Sequence, residues 1–135
     1  MLRITVGDLE LGARLETERA PRTVALVRGL LPYESKLIQA RWSGQAAWVP
    51  MGDFDVGDLG PEDPTSYPQV GELLLYPGGV SEIEILFPYG QTCFASKAGQ
   101  LAGNHFATIV EGREHLPEIG ERVLWRGAQD IRFEG

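Results

Sequence analysis

The sequence predicts a mostly β fold: a closed or nearly closed antiparallel barrel of about eight strands, with one main helix. Three observations carry that expectation. Apolar and polar residues alternate through most of the chain, the period of a half-buried strand. Gly-containing pairs interrupt these runs at hairpin spacing, in a chain holding 17 Gly and 9 Pro. Only one long stretch switches to a helical period. Closure into a barrel removes the free strand edges that would template aggregation. A sandwich is the competing layout, and periodicity alone does not separate the two.

The elements follow in order. Ile4 and Val6 alternate with Arg3 and Thr5, and after Gly7-Asp8 the apolar face resumes as Leu9, Leu11, Ala13 and Leu15. That pattern is a hairpin, because Gly supplies the positive φ a tight turn demands. Ala20, Val24, Val27 and Leu31 then recur at helical spacing, with Pro21 suited to the first turn and Pro32 ending it. Lys36 to Trp42 and Ala46 to Pro50 flank Ser43-Gly44, a second hairpin signal. Gly71 to Tyr76 is a short apolar run ended by Pro77-Gly78-Gly79. In the next strand Ile83, Ile85 and Phe87 alternate with Glu82, Glu84 and Leu86. Phe106, Thr108 and Val110 alternate with Ala107 and Ile109. Val123 and Trp125, then Ile131 and Phe133, predict a last hairpin across Gly127-Ala128.

Composition bounds the function. A chain of 135 residues is expected to be one domain, residues 1–135. No run approaches the ~20 apolar residues of a membrane span, so no membrane partner is expected. The opening Met1-Leu2-Arg3-Ile4 is strand-like and lacks a signal-peptide layout. A single Cys excludes an intrachain disulfide, which together with that start predicts a cytoplasmic location. A formal charge of −7 argues against nucleic-acid binding, which needs a basic field.

Two segments together resemble the cyclophilin-like proteins. Glu18-Arg19-Ala20-Pro21-Arg22-Thr23-Val24, followed by Leu30-Leu31-Pro32-Tyr33-Glu34-Ser35, is similar to the first helix of that fold and its Ala-Pro-Lys/Arg-Thr opening. Phe106-Ala107-Thr108-Ile109-Val110-Glu111-Gly112, leading to Leu116, resembles the strand before its second helix. The whole chain looks closest to a small bacterial and archaeal branch of minimal members catalogued as a domain of unknown function. There Gly71 to Tyr76, the strand to Phe87 and the segment Ser96 to Asn104 have counterparts in the same order. The resemblance implies an eight-stranded barrel with a second, short helix and a ligand groove on one outer face. It also implies that Ser96-Lys97 begins a loop over that groove. Peptidyl-prolyl isomerases of this fold carry Phe-His-Arg and Phe-x-x-Gln-Gly-Gly strands. Here Gln39-Ala40-Arg41-Trp42 offers an Arg in the corresponding region, no Phe-x-x-Gln-Gly-Gly follows, and Met51-Gly52-Asp53-Phe54 is a faint echo.

Candidate residues are few. Arg41 beside Trp42, with Trp48 across the turn, offers a cation between flat apolar walls, a setting for a carboxylate or peptide carbonyl. The plainer reading makes both Trp core and Arg41 a solvated strand residue. Cys93, Phe94, His105 and Phe106 meet if their segments are neighbours, giving a Cys–His pair or a groove histidine. Asp53, Asp55, Asp58, Glu62 and Asp63 read as a solvated acidic loop, since their spacing departs from a calcium loop. His105 and His115 without cysteine partners do not make a zinc site, and no metal or cofactor is expected. The candidate groove lining is therefore Arg41, Trp48, Phe94 and His105. The expected function is binding of a small carboxylate- or amide-bearing ligand, with or without a reaction. Peptidyl-prolyl isomerisation and a homo-oligomeric interaction module are the alternatives.

Overall fold

In the computed structural model, which describes residues 1–135, β1 (Leu2–Val6) and β2 (Leu9–Leu15) form the first hairpin, with Ile4 opposite Leu11. Gly7 turns it at a φ of +59°, in the left-handed region that costs Gly least. Helix α1 (Pro21–Leu30) follows and buries Thr23, Val24 and Val27. The remaining elements are β3 (Tyr33–Gln39), β4 (Gly44–Gly52), β5 (Pro64–Thr65), β6 (Glu72–Tyr76), β7 (Ile83–Thr92), β8 (Ala95–Ser96), β9 (Gly99–Gln100), β10 (Gly103–Glu111), α2 (Leu116–Trp125) and β11 (Gln129–Glu134).

Eight strands pair antiparallel in the order β2-β1-β11-β3-β4-β7-β6-β10, and β10 pairs back onto β2. The sheet is thus a closed barrel. β5 extends the far end of β10, and β8–β9 form a separate small hairpin. One side of each strand fills the interior: Ile4 and Val6, Leu11 and Ala13, Leu37, Ala47 and Val49, Leu73 and Leu75, Ile85 and Phe87, Ile131 and Phe133. Val24 and Val27 of α1 join the same cluster, as do Leu116, Ile119 and Val123 of α2. Both helices plug the barrel with their apolar faces. Neither is long and apolar enough to cross a membrane.

The last hairpin expected from the sequence is not formed. Val123 and Trp125 lie in α2, and β11 pairs instead with β1 and β3. Two apolar residues two apart fit a strand, but Leu116, Ile119 and Val123 recur at three and four, the longer and deciding pattern. Gly127, at a φ of +90°, follows the end of this helix rather than turning a hairpin. The chain therefore has the two expected helices: α1 of 10 residues, and α2 of 10 residues entered directly from a 3-10 turn at Arg113–His115.

In the acidic stretch Asp53, Asp55, Asp58 and Asp63 are exposed as expected, and Glu62 alone is partly buried. Ala20 at the start of α1 has no capping side chain, and Glu62 serves from 39 residues away. Its carboxylate accepts the Arg22 and Thr23 amides at 3.0 and 2.9 Å and the Thr23 hydroxyl at 2.8 Å. Buried Asn104 completes the clasp, donating to Thr23 Oγ1 and the Gly60 carbonyl and accepting the Glu62 amide. Burial alone would raise the Glu62 pKa, but the hydrogen bonds from Thr23 and Arg22 outweigh it and hold it below the ordinary 4.5. A depressed folded-state pKa contributes stability above the unfolded value and loses it as pH falls through the folded one. Glu62→Ala is expected to cost about 1 kcal/mol at pH 7. In urea unfolding the gap from wild type should narrow once the pH is below the Glu62 pKa.

Candidate functional site

The outer wall of the barrel carries a second apolar layer. Along β7, Ile85 and Phe87 point inward, so Glu84 and Leu86 point out. Register places Trp48 beside Leu86, and Pro50 and Tyr76 on either side of Glu84. Ala40, Ala46, Leu74, Tyr76, Leu86, Phe94 and Leu101 form a satellite cluster on this face, with Trp48 packed against it. Phe94 meets Tyr76 edge to face at 5.9 Å.

Ser43 holds the cover in place. This buried residue sits in the β3–β4 turn, and its hydroxyl pairs with both the amide and the carbonyl of Ala95 at 3.1 and 3.0 Å. Its carbonyl accepts the Cys93 amide at 3.1 Å. The β8–β9 hairpin is thereby fixed against the turn that carries Arg41 and Trp42. Between them opens a groove of about 410 Å³, lined by Ile38, Gln39, Ala40, Arg41, Trp42, Trp48, Ser81, Glu84, Ala95, Ser96 and Lys97. The Arg41 guanidinium stands 5.3 Å from the Trp42 ring centre.

Glu84 is the anomaly in this groove. It is 6% exposed, and its carboxyl makes neither a hydrogen bond nor an ion pair. Burial, with a smaller push from the Glu82 charge, raises its pKa to about 8. At pH 7 Glu84 is mainly a neutral carboxylic acid on an apolar wall. It can donate a proton, accept one, or become the counter-charge of a cation entering the groove.

The four residues singled out from sequence do not converge. Arg41 and Trp48 line the groove. Phe94 is fully buried beneath it, as packing for Tyr76. His105 lies on β10, 4% exposed, and is not part of the lining. Its Nε2 donates to Thr108 Oγ1 at 2.7 Å, because the Thr108 hydroxyl itself donates to Glu16 at 2.7 Å. Its Nδ1 is buried without a partner, and burial lowers its pKa and keeps the ring neutral. Cys93 is exposed, and with His105 engaged by Thr108 the two do not form a nucleophile–base pair. Residues 53–71 contribute nothing to the lining, so the long connection does not close the groove.

Glu84, Ser81 and Lys97 complete the site without having been singled out as lining. Glu84 reads in sequence as the polar position of an alternating strand. The apolar cluster built on that face by residues distant in sequence, Phe94 and Leu101 among them, turns a solvent face into a wall.

A family model described as "Protein of unknown function (DUF3830)" matches residues 2–134. No curated protein matches the chain. Among solved structures, that of McbB in complex with tryptophan superimposes with a TM-score of 0.79 at 19% identity. The match covers 99% of this chain and 44% of that one, so the present chain spans less than half the length of McbB's.

Proposed function

The chain belongs to the DUF3830 family of proteins of unknown function, and from that footing we propose that its barrel-face groove binds a small molecule pairing a flat apolar body with a carboxylate or amide. The observation that carries this reading is the unpartnered Glu84 carboxyl, held in a groove walled by Trp48 and Trp42. The Glu84 oxygens keep some solvent contact, His105 Nδ1 being the one fully buried polar side-chain atom without a partner, so a ligand replaces water on a carboxyl that the surrounding side chains leave free. The indole faces suit a planar ligand, while Arg41 and Lys97 suit its carboxylate. That McbB, of like fold, is found with tryptophan supports a ligand of this size and shape. The order of elements also supports a place among cyclophilin-like proteins. Prolyl isomerisation is not expected, since the chain carries no Phe-x-x-Gln-Gly-Gly strand.

A thermal-shift screen of aromatic carboxylates, amides and amino acids tests the proposal. A binder should raise the unfolding temperature of wild type, and Arg41→Ala should abolish that rise. Equal shifts in Arg41→Ala, or binders indifferent to Trp48→Ala, would move the site elsewhere.

A further inference from the structure

Taking the groove as the binding site, we propose that its ligand carries a basic amine, seated as an ammonium on the Glu84 carboxylate. The charges within the groove point this way. Arg41 and Lys97 line it, yet neither reaches Glu84 in an ion pair, so both remain available to an anionic group nearer the rim. The groups packed around Glu84 offer it no neutralising charge. Trp48 and Pro50 on β4 are uncharged. The Tyr76 oxygen on β6 accepts the Val80 and Ser81 amides at 2.9 and 3.3 Å. Glu82, just ahead of β7, is another carboxylate, and it accepts the Gly52 amide. A buried acid with an anion for a neighbour and no cation of its own is complementary to a cation brought from outside. An amide would satisfy the carboxyl's hydrogen bonds without supplying that charge.

Proton bookkeeping follows from the same geometry. Below about pH 8 the free protein holds a proton on Glu84. An entering ammonium keeps its own protons and favours the carboxylate, so the Glu84 proton leaves to solvent. Binding then releases close to one proton per ligand at pH 6.5, and close to none at pH 9, where Glu84 is already ionised.

The test is titration calorimetry at pH 6.5 and pH 9 in buffers of different ionisation enthalpy. The probes are tryptamine, tryptophan and the deaminated indole-3-propionate, and the proteins are wild type and Glu84→Gln. The expected result is release of about one proton with the amines at pH 6.5 and none with indole-3-propionate. In Glu84→Gln the preference for amine over deaminated probe should collapse at least tenfold and the proton release should vanish. Amines that bind wild type with no proton release overturn the proposal even if the variant is misfolded. Binding of indole-3-propionate alone overturns the amine while leaving the groove as a carboxylate site. Binding of no probe by wild type rejects both readings.

Discussion

Glu84→Gln is expected to make the protein more stable at neutral pH, and increasingly so as pH rises. The sign follows from the direction of the shift. Burial first, and the Glu82 charge second, raise the Glu84 pKa to about 8, so the folded state keeps a proton that the unfolded chain gives up near 4.5. A carboxyl raised in this way leaves stability untouched below the unfolded value and drains it between the two pKa values. At about 1.4 kcal/mol per pH decade, the loss by pH 7 is on the order of 3 kcal/mol. Glutamine keeps the shape, carries no charge, and removes that pH dependence. Its amide must itself find partners in the same wall, which returns roughly 1–3 kcal/mol of the gain. Urea midpoints across pH 4.5 to 8 should therefore diverge, with the variant flatter and the wild type falling. Parallel curves would mean that Glu84 is solvated or already paired, and the groove would lose its defining group. A group that weakens the fold and faces a groove is the pattern expected where stability is traded for binding.

Why Glu84 escaped the sequence reading, while Arg41 and Trp48 did not, is a matter of range. The barrel was legible because it is built from local signals. Period-2 runs set the strand faces, Gly7-Asp8 set the first turn, and Pro21 and Pro32 bracketed α1. Arg41 and Trp48 were legible because they lie close in sequence across one turn, although that turn spans residues 40–43 and its register, Ile38 with Trp48, is one residue off what a Ser43-Gly44 turn would give. Glu84 joins them because Phe94 and Leu101, on either side of the 95–100 hairpin, pack on the outer face and bring Ala95, Ser96 and Lys97 to the same groove. No periodicity in residues 82–87 announces that cover. Phe94 and His105 failed for the complementary reason: each is aromatic, near a turn and apt for a site. Phe94 fills a satellite core beneath the groove, and His105 is tied to Thr108 on its own strand. The Val123–Trp125 error was local, a two-residue match to the wrong period beside a three-residue match to the right one.

The end of the seam that closes the barrel admits no side chain at Gly112, and Gly112→Ala is expected to weaken the closure. Gly112 follows the last β2–β10 register pair, Glu111 with Gly12, and turns the chain at a φ of +77°. A Cβ there would stand 2.6 Å from the Glu10 carbonyl oxygen and 2.9 Å from Leu11 Cδ2. The Leu11 side chain could yield, but the Glu10 oxygen belongs to the backbone of β2, whose other edge is laddered to β1. Relief therefore means pulling β2 from β1 or parting it from β10, and either breaks the ring. Gly57 separates this effect from dihedral strain, since it also has a positive φ, +64°, with nothing within 4 Å of its would-be Cβ. Gly57→Ala should cost only the left-handed backbone, about 1–2 kcal/mol. Gly112→Ala should add the overpacking term of about 1–3 kcal/mol, for a total loss of about 2–5 kcal/mol. Urea unfolding of the two variants side by side measures the difference. A Gly112→Ala protein no weaker than Gly57→Ala would show that β2 moves freely against β10, and that the seam does not hold the cylinder shut.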